Sequence, residues 1–258
     1  MKNQNKKQFN LSDRVVICTG ASSGIGKHTA RVFASLGASV FLVARRKTNL
    51  EELISEIEMF GNRKCFGHVA DLLDKSVVSS LVDECSKRIG APDILVNAAG
   101  VNFREHWSKI SFESWEKTIQ LNLSVPFFIA QKCIPKMKEK GWGRIINVAS
   151  LQSYRAFPNG LAYGASKGGI AQVTRAMAEA WSSYGITANA VAPGFIPTEL
   201  TAAVFGDKKA NSHNASMTAI GRNGKLDDLD GVMLFLASNG ANYITGQIIN
   251  VDGGYSAK

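Results

Sequence analysis

Seven short apolar runs, separated by longer segments of helical periodicity, constrain the fold of this 258-residue chain more than any other feature. The runs are apolar at successive positions, which is typical of strands buried on both faces. Strands that alternate with helices form a parallel sheet covered on both sides. The sequence therefore predicts an α/β fold, a Rossmann-type doubly wound parallel sheet of about seven strands. The predicted strands are 15–18, 39–43, 65–69, 94–96, 145–148, 187–191 and 248–251, and the predicted helices are 25–36, 48–60, 75–89, 112–140, 162–183 and 227–237.

The domain organisation predicted from the sequence is simple. A hydrophobic fraction of 45% is ordinary for a chain with one core, and no linker, low-complexity tract or internal repeat divides it. We expect a basic N-terminal tail at residues 1–12, with Lys2, Lys6 and Lys7, followed by one domain at 13–258. No apolar run approaches the length of a signal peptide or a membrane helix, so we expect a cytoplasmic protein without a membrane partner.

The cysteines and the net charge exclude several classes of site. The four cysteines, Cys18, Cys65, Cys85 and Cys133, lie far apart, with no His at a ligand spacing, so we expect neither a disulfide framework nor a metal site. The net charge of +9 is spread along the chain and does not form a basic, aromatic-studded face. We therefore expect no nucleic-acid partner, whereas a phosphorylated cofactor fits the charge.

A glycine-rich turn follows the first predicted strand, where residues 19–26 read Thr-Gly-Ala-Ser-Ser-Gly-Ile-Gly. Glycines let the backbone approach a pyrophosphate, which then meets the free amides at the start of a helix. Its place between the first strand and the first helix predicts a dinucleotide site. The residues assigned to it are Gly20, Ser22, Ser23, Gly24, Ile25 and Gly26.

Two other motifs compete with this interpretation. A nucleotide-triphosphatase loop requires a Ser or Thr after Gly-Lys, but His28 follows Lys27 and five residues separate the glycines Gly20 and Gly26. The stretch 164–168 matches the hydrolase pattern Gly-x-Ser-x-Gly, but a loop-like segment precedes it instead of the required strand. We interpret the second match as a coincidence.

The second predicted strand ends at Arg45 and Arg46, where proteins that prefer NAD place a carboxylate against the ribose hydroxyls. Two guanidinium groups suit a 2′-phosphate instead, so NADP(H) is favoured. The alternative is that the arginines only border the adenine pocket, in which case NAD(H) also serves.

The motifs in order resemble the classical short-chain dehydrogenase/reductase family from about residue 13 to residue 254. They comprise the glycine-rich turn, Asn97-Ala98-Ala99-Gly100, Asn122, Ser150, Tyr163-x3-Lys167 and Pro193-Gly194, with 13 residues from Ser150 to Tyr163 as in the family. The family usually has a second Asn where this chain has Ala98. Its loss removes one potential hydrogen bond near the central strands and touches no catalytic group.

The resemblance implies hydride transfer between a nicotinamide and an alcohol or ketone, with Tyr163 as the acid and base. A phenol with a pKa of about 10 ionises with difficulty at neutral pH, and Lys167, one helical turn later, brings an ammonium that favours the phenolate. By resemblance, Lys167 also bonds the nicotinamide ribose, Ser150 polarises the substrate oxygen, and Asn122 supports a proton relay through water.

The remaining cofactor contacts are also carried over from the family. The resemblance assigns Asp71 and Leu72 to the adenine, and the nicotinamide end to Pro193, Gly194, Ile196 and Thr198. Asn97, Ala98 and Gly100 complete the cofactor site.

The substrate is left open by the sequence. Asn102, Gln152 and Phe157 are candidate contacts, and the segment 199–221 is a candidate lid. The chain resembles both gluconate dehydrogenases and β-ketoacyl carrier-protein reductases, and a sugar, sugar acid or other small hydroxy compound is the preferred substrate class. The non-enzyme alternative is an NADP-binding redox sensor. The family further implies a homotetramer, with helices around Phe128 and Gln172 as contacts.

Overall fold

In the computed structural model, which describes residues 9–61 and 64–258, a seven-stranded parallel sheet forms the centre of the protein. The spatial order of the strands is β3-β2-β1-β4-β5-β6-β7, which confirms the doubly wound arrangement. The strands are β1 (Val15–Thr19), β2 (Ser39–Ala44), β3 (Cys65–Val69), β4 (Ile94–Asn97), β5 (Gly143–Val148), β6 (Ile186–Pro193) and β7 (Ile248–Val251).

Helices cover both faces of the sheet, as the successive apolar positions predict. Val16 and its neighbour Ile17 are both fully buried, yet they belong to separate hydrophobic clusters on opposite faces. The long helices are α1 (Gly24–Ser35), α2 (Lys47–Glu58), α3 (Lys75–Arg88), α4 (Phe112–Ile119), α5 (Val125–Lys140), α6 (Leu161–Trp181) and α9 (Asp230–Ala237). Helices α1, α2 and α9 pack on one face, and α3, α5 and α6 on the other.

One predicted helix is interrupted. The sequence predicts a single helix over 112–140, but a π-helical turn at Gln120–Ser124 separates α4 from α5. Pro126 lacks the backbone N–H that would bond the carbonyl of Asn122 in an α-helix, and the side chain of Asn122 bonds Val101 instead of facing solvent. Asn122 therefore lies in the distorted turn.

The chain before β1 takes part in the core. Leu11 is fully buried in the hydrophobic cluster that also contains residues of α1. Core packing therefore begins at least two residues before the predicted domain start at residue 13. Residues 1–8, with the three tail lysines, lie outside the described residues.

The candidate lid is folded into short elements. A 3₁₀ turn at Glu199–Thr201 leads into α7 (Ala202–Gly206) and α8 (Lys208–Met217), and the side chain of Asp207 accepts hydrogen bonds from two amides at the start of α8. Across the described ranges, no helix combines the length and apolarity that a membrane span requires.

Candidate active site

A cleft with a volume of about 420 Å³ opens at the carboxyl ends of the strands. It lies at β1 and β4, where the winding of the sheet changes direction. In open α/β sheets this is where two loops diverge and leave a crevice for a ligand. Most of the sequence-predicted site residues converge here from seven segments of the chain.

The glycine-rich turn forms one wall of the cleft. Gly20 has φ +69°, and a Cβ there would lie 2.8 Å from the backbone nitrogen of Ala99. A Cβ on Gly26 would lie 2.4 Å from the carbonyl oxygen of Gly20, so α1 packs directly against the turn. Ser23, the residue before α1, makes no side-chain capping bond, which leaves the first amides of α1 for an anion. This cradle fits the pyrophosphate of a dinucleotide.

The two arginines at the end of β2 both border the cleft and differ in their partners. The Arg46 guanidinium bonds the Ser22 hydroxyl at 3.1 Å and pairs with both carboxylate oxygens of Glu199 at 2.9 Å. The hydrogen bond to Glu199 raises the pKa of Arg46 above its ordinary value. Arg45 forms no ion pair with any carboxylate of residues 9–61 or 64–258.

Helix α6 and the end of β5 bring together the hydroxyl, phenol and ammonium groups. Tyr163 and Lys167 lie one turn apart on the buried face of α6, at 9% and 5% exposure. The Lys167 ammonium donates a hydrogen bond of 2.6 Å to the carbonyl of Val148 and lies 5.5 Å from the centre of the Tyr163 ring. Ser150 follows β5 and, with Tyr163 and Lys167, lines the cleft.

Burial dominates the acidity of these groups. It raises the pKa of Tyr163, while hydrogen bonding by Ser150 and the nearby guanidinium of Arg104 act in the opposite direction. It lowers the pKa of Lys167 to about 8. The sequence predicts that Lys167 lowers the Tyr163 pKa, but the environment that this chain supplies holds the phenol protonated at neutral pH. The form that can give a proton to a carbonyl oxygen is therefore the resting form.

Asn122 lies behind the catalytic groups and does not line the cleft. Its amide nitrogen donates to the carbonyl of Val101 at 2.9 Å and to the hydroxyl of Ser166 at 3.0 Å. A Cβ on Gly100 would lie 3.1 Å from the Asn122 side-chain oxygen and 4.0 Å from the Lys167 nitrogen, so these three residues are close neighbours. Ser166, the serine of the hydrolase-like motif, is fully buried and holds Asn122, which agrees with the interpretation of that motif as a coincidence.

The candidate substrate contacts Asn102, Gln152 and Phe157 all line the cleft, at the end that we call the substrate end. Phe157 packs edge-to-face on Phe195, with ring centres 5.8 Å apart, and forms an apolar wall. The side-chain oxygen of Gln152 is buried without a hydrogen-bond partner. An unpaired buried acceptor costs about 1–3 kcal/mol, so this oxygen would gain from a hydrogen-bond donor.

Arg104 is the functional candidate that the sequence did not reveal. It borders the cleft beside Tyr163, and its Nε is buried without a hydrogen-bond partner. Its backbone is left-handed, with φ 54°, a strained conformation that often marks a binding site. The Arg104 guanidinium forms no ion pair with any carboxylate of the described chain. The only sequence signal was an arginine four residues after the turn at Gly100.

Comparison with known proteins agrees with this geometry. A family model described as enoyl-(acyl carrier protein) reductase matches residues 20–256. The 3-oxoacyl-(acyl-carrier-protein) reductase of Thermotoga maritima is 36% identical over 244 residues, which cover 95% of this chain and 98% of that protein. The chain belongs to the short-chain dehydrogenase/reductase family. It is an oxidoreductase that acts on CH–OH groups with a nicotinamide cofactor.

Other members of the family are similar over nearly the same length. The gluconate 5-dehydrogenase of Gluconobacter oxydans is 34% identical over 246 residues, which cover 95% of this chain and 96% of the Gluconobacter enzyme. A solved structure of a gluconate 5-dehydrogenase from Burkholderia cenocepacia, in complex with NADP and tartrate, superposes with a TM-score of 0.93 at 34% identity. That match covers 98% of this chain and 99% of the other.

Two predicted cofactor residues of this dehydrogenase stand back from the cleft. The sequence assigns Asn97 to the cofactor, but its side chain is buried, and its amide nitrogen donates to Asn147 at 2.9 Å and to the carbonyl of Pro126 at 3.3 Å. Gly26 packs behind the turn. The backbone amide of Ala98, the position where the family usually has Asn, donates to the hydroxyl of Thr19 at 3.1 Å, so this wall of the cleft remains held.

The pKa of Lys167 predicts a pH dependence for this dehydrogenase. Because burial lowers that pKa to about 8, Lys167 loses its charge above this pH, and the developing Tyr163 phenolate loses a stabilising ammonium. We expect kcat/KM for ketone reduction to be level below pH 8 and to fall about tenfold per pH unit above it. Steady-state profiles measure this. A level profile up to pH 10 would contradict it.

Proposed function

We propose that this dehydrogenase interconverts the hydroxyl and keto groups of small hydroxy acids, with sugar acids as the preferred class, and uses NADP(H). The observation that carries the substrate class is the unpaired guanidinium of Arg104 at the substrate end of the cleft. A guanidinium with a free edge binds a carboxylate through two parallel hydrogen bonds. A neutral substrate would leave that charge without a partner in a partly buried place.

The positions of the side chains support the catalytic roles that we propose. The bound nicotinamide supplies or accepts the hydride. In the reductive direction Ser150 donates a hydrogen bond to the substrate carbonyl, and Tyr163 gives its phenolic proton to the same oxygen. Lys167 stabilises the resulting phenolate. A water-mediated relay supported by Asn122 then returns a proton from solvent to Tyr163 through Lys167. The oxidative direction runs through the same groups in reverse.

The polar groups at the substrate end fit a polyhydroxylated acid. Gln152 offers an unpaired acceptor to a hydroxyl, and Arg104 offers donors to a carboxylate. Tartrate, with which the Burkholderia cenocepacia enzyme was solved, has both kinds of group. Phe157 and Phe195 close the apolar side against the carbon chain.

A 3-oxoacyl carrier-protein reductase is the second candidate, because the Thermotoga maritima relative carries that name. Such a substrate presents a β-keto thioester and no free carboxylate near the reacting carbon. It would leave the Arg104 guanidinium unpaired, and this favours the hydroxy acid.

The test is a spectrophotometric screen at 340 nm with NADP(H) and NAD(H) and with matched substrates. Gluconate against glucitol compares an acid with the polyol of the same chain length, and a 3-hydroxybutyryl thioester represents the carrier-protein substrate, so all three are measured in the oxidative direction. We expect the acid to have the highest kcat/KM. A higher value for the thioester or the neutral polyol would reject the proposed substrate class.

The preference for NADP(H) predicts the behaviour of Arg45. Replacing Arg45 by Asp puts a carboxylate where a 2′-phosphate would lie and where ribose hydroxyls could bond it. We expect the NADP:NAD ratio of kcat/KM to fall at least about tenfold, since a lost charge-assisted bond costs about 1.5–3 kcal/mol. Kinetics with both cofactors measure the ratio. An unchanged ratio would show that Arg45 only borders the adenine pocket.

The same proposal covers the architecture and setting of the enzyme. We propose one catalytic domain with residues 199–221 as a substrate lid, since Glu199, Leu200 and Thr201 line the cleft. We propose a homotetramer, supported by the half-exposed ring of Phe128 on the outer face of α5. A cytoplasmic location is supported by Cys18, Cys65, Cys85 and Cys133, which are all free thiols.

A further inference from the structure

The first residue of the candidate lid is paired with one of the two arginines of the cofactor site. Glu199 and Arg46 lie 153 positions apart in the chain, yet the Arg46 guanidinium meets the carboxylate at both of its terminal nitrogens. Nε and Nη2 of Arg46 also donate to the hydroxyl of Ser22 in the glycine-rich turn, at 3.3 Å and 3.1 Å. The three residues connect the β2 end, the turn and the lid at the edge of the cleft.

We propose that Glu199 is a cofactor-specificity residue, whose carboxylate competes with the 2′-phosphate of NADP for the guanidinium of Arg46. The inference rests on the proposed function, because that proposal assigns the arginine pair to the 2′-phosphate. Both bidentate edges of the Arg46 guanidinium are occupied, the Nη1/Nη2 edge by Glu199 and the Nε/Nη2 edge by Ser22. A phosphate that binds the Nη1/Nη2 edge bidentately displaces Glu199, whereas a cofactor without the phosphate leaves the pair intact.

The charges around the site support competition. Without Glu199, Arg45 and Arg46 would present two positive charges to the phosphate, and the carboxylate cancels one of them. Hydrogen bonding to Arg46 holds the pKa of Glu199 below its usual range, so the carboxylate is ionised throughout the neutral region. Arg45 has no carboxylate partner among the described residues and remains available in both states.

The pair also connects cofactor binding to the lid. Glu199 opens the 3₁₀ turn Glu199–Thr201, and the hydroxyl of Thr201 donates to the carbonyl of Ile196 at 2.6 Å. The opposite wall is close, because a Cβ on Gly24 would lie 3.2 Å from the Thr198 side chain. Displacement of the carboxylate releases the first lid residue, while Thr201 keeps the base of the lid in place.

The size of the effect follows from the exposure of the pair. The Arg46 side chain is 44% exposed and the Glu199 side chain 61% exposed, so water and salt screen their attraction. Exposed pairs contribute little, and removing the competitor is expected to strengthen phosphate binding by about two- to fivefold. The gain should shrink as the ionic strength rises.

The test compares two fragments of the cofactor that differ only in the 2′-phosphate. Calorimetric titration of adenosine 2′,5′-bisphosphate and of adenosine 5′-monophosphate into the wild-type enzyme and into Glu199→Gln gives the phosphate contribution without turnover. We expect Glu199→Gln to lower the Kd of the bisphosphate about two- to fivefold and to leave that of the monophosphate unchanged.

Two control variants separate competition from other effects. Glu51→Gln removes an equally exposed carboxylate, 60% exposed and paired with Lys47 outside the cleft, and should change neither Kd. In an Arg46→Gln background, Glu199→Gln should no longer improve phosphate binding, since the contested guanidinium is gone.

Three results would overturn the inference. If Glu199→Gln weakened the binding of both nucleotides equally, Glu199 would contribute to the binding of any adenine nucleotide instead of competing with the 2′-phosphate. No change in either Kd in Glu199→Gln would show that Glu199 does not affect nucleotide binding. An equal gain in bisphosphate affinity in Glu51→Gln would show that the effect comes from the overall charge of the protein. The assignment of NADP(H) fails separately, through a wild-type preference for NAD or an unchanged ratio in Arg45→Asp.

Discussion

Replacing Tyr163 by Phe is expected to lower kcat by about 10²- to 10⁴-fold in both directions, because general acid and base catalysis typically contributes that much. The substitution removes only the phenolic oxygen, and the ring keeps its place on the buried face of α6. No other phenol lines the cleft among the described residues. The proton on the substrate oxygen would then have to come from water or from Ser150.

Binding and stability distinguish this effect from a loss of structure. NADPH affinity, measured by fluorescence titration, should stay within about twofold of the wild type, since the phenol contributes at most one of many cofactor contacts. Tyr154→Phe is the matched control, since Tyr154 is about half exposed and its hydroxyl reaches only the carbonyl of Ile248, at 3.5 Å. Full activity in Tyr163→Phe would remove Tyr163 from the mechanism.

Replacing Arg104 by Met is expected to lower kcat/KM for hydroxy acids by about 10- to 150-fold, the cost of a lost hydrogen bond to a charged group. The neutral polyol should lose much less, so the preference for the acid should disappear. Met keeps the length of the aliphatic stem, and the left-handed backbone at φ 54° treats both side chains alike. The Arg104 guanidinium also acts to lower the pKa of Tyr163. In Arg104→Met, the rate of alcohol oxidation should therefore begin to rise only at a higher pH than in the wild type.

Arg155→Met is the matched control for this experiment. Arg155 is exposed and donates to the carbonyl of Tyr255 at 3.2 Å, outside the cleft. We expect it to change the acid and the polyol equally and by less than about threefold. If Arg104→Met also lowers both substrates equally, Arg104 shapes the pocket without recognising a carboxylate.

Much of the fold and most of the residues that line the cleft could be predicted from the sequence because they depend on local patterns. All seven strands lie within one or two residues of the predicted positions. The turn between β1 and α1 requires glycines because a Cβ on Gly20 or Gly26 would lie within 3 Å of backbone atoms. The π-helical turn at Gln120–Ser124 was missed, since periodicity alone does not show that Pro126 deprives Asn122 of its helical partner.

Side-chain partners from distant segments could not be predicted in this way. Asn97 ends a strand, near where cofactor residues lie, but Asn147 on the neighbouring strand accepts a hydrogen bond from its amide. The sequence assigned Arg45 and Arg46 as an equivalent pair, and only the folded chain brings Glu199 to one of them. Such pairs depend on how loops cross the end of the sheet, which no local pattern encodes.

The sequence by itself determined the parallel sheet, the cradle for a dinucleotide and the order of Ser150, Tyr163 and Lys167, because each depends on spacing along one or two elements. The tertiary structure decided which charges remain free at the cleft. Burial fixes the acidity of Tyr163 and Lys167, and the folded loops leave Arg104 unpaired while Glu199 engages Arg46. Desolvation and ion pairing are properties of groups brought together in space, so the proposals for the substrate class and the cofactor preference rest on the tertiary structure.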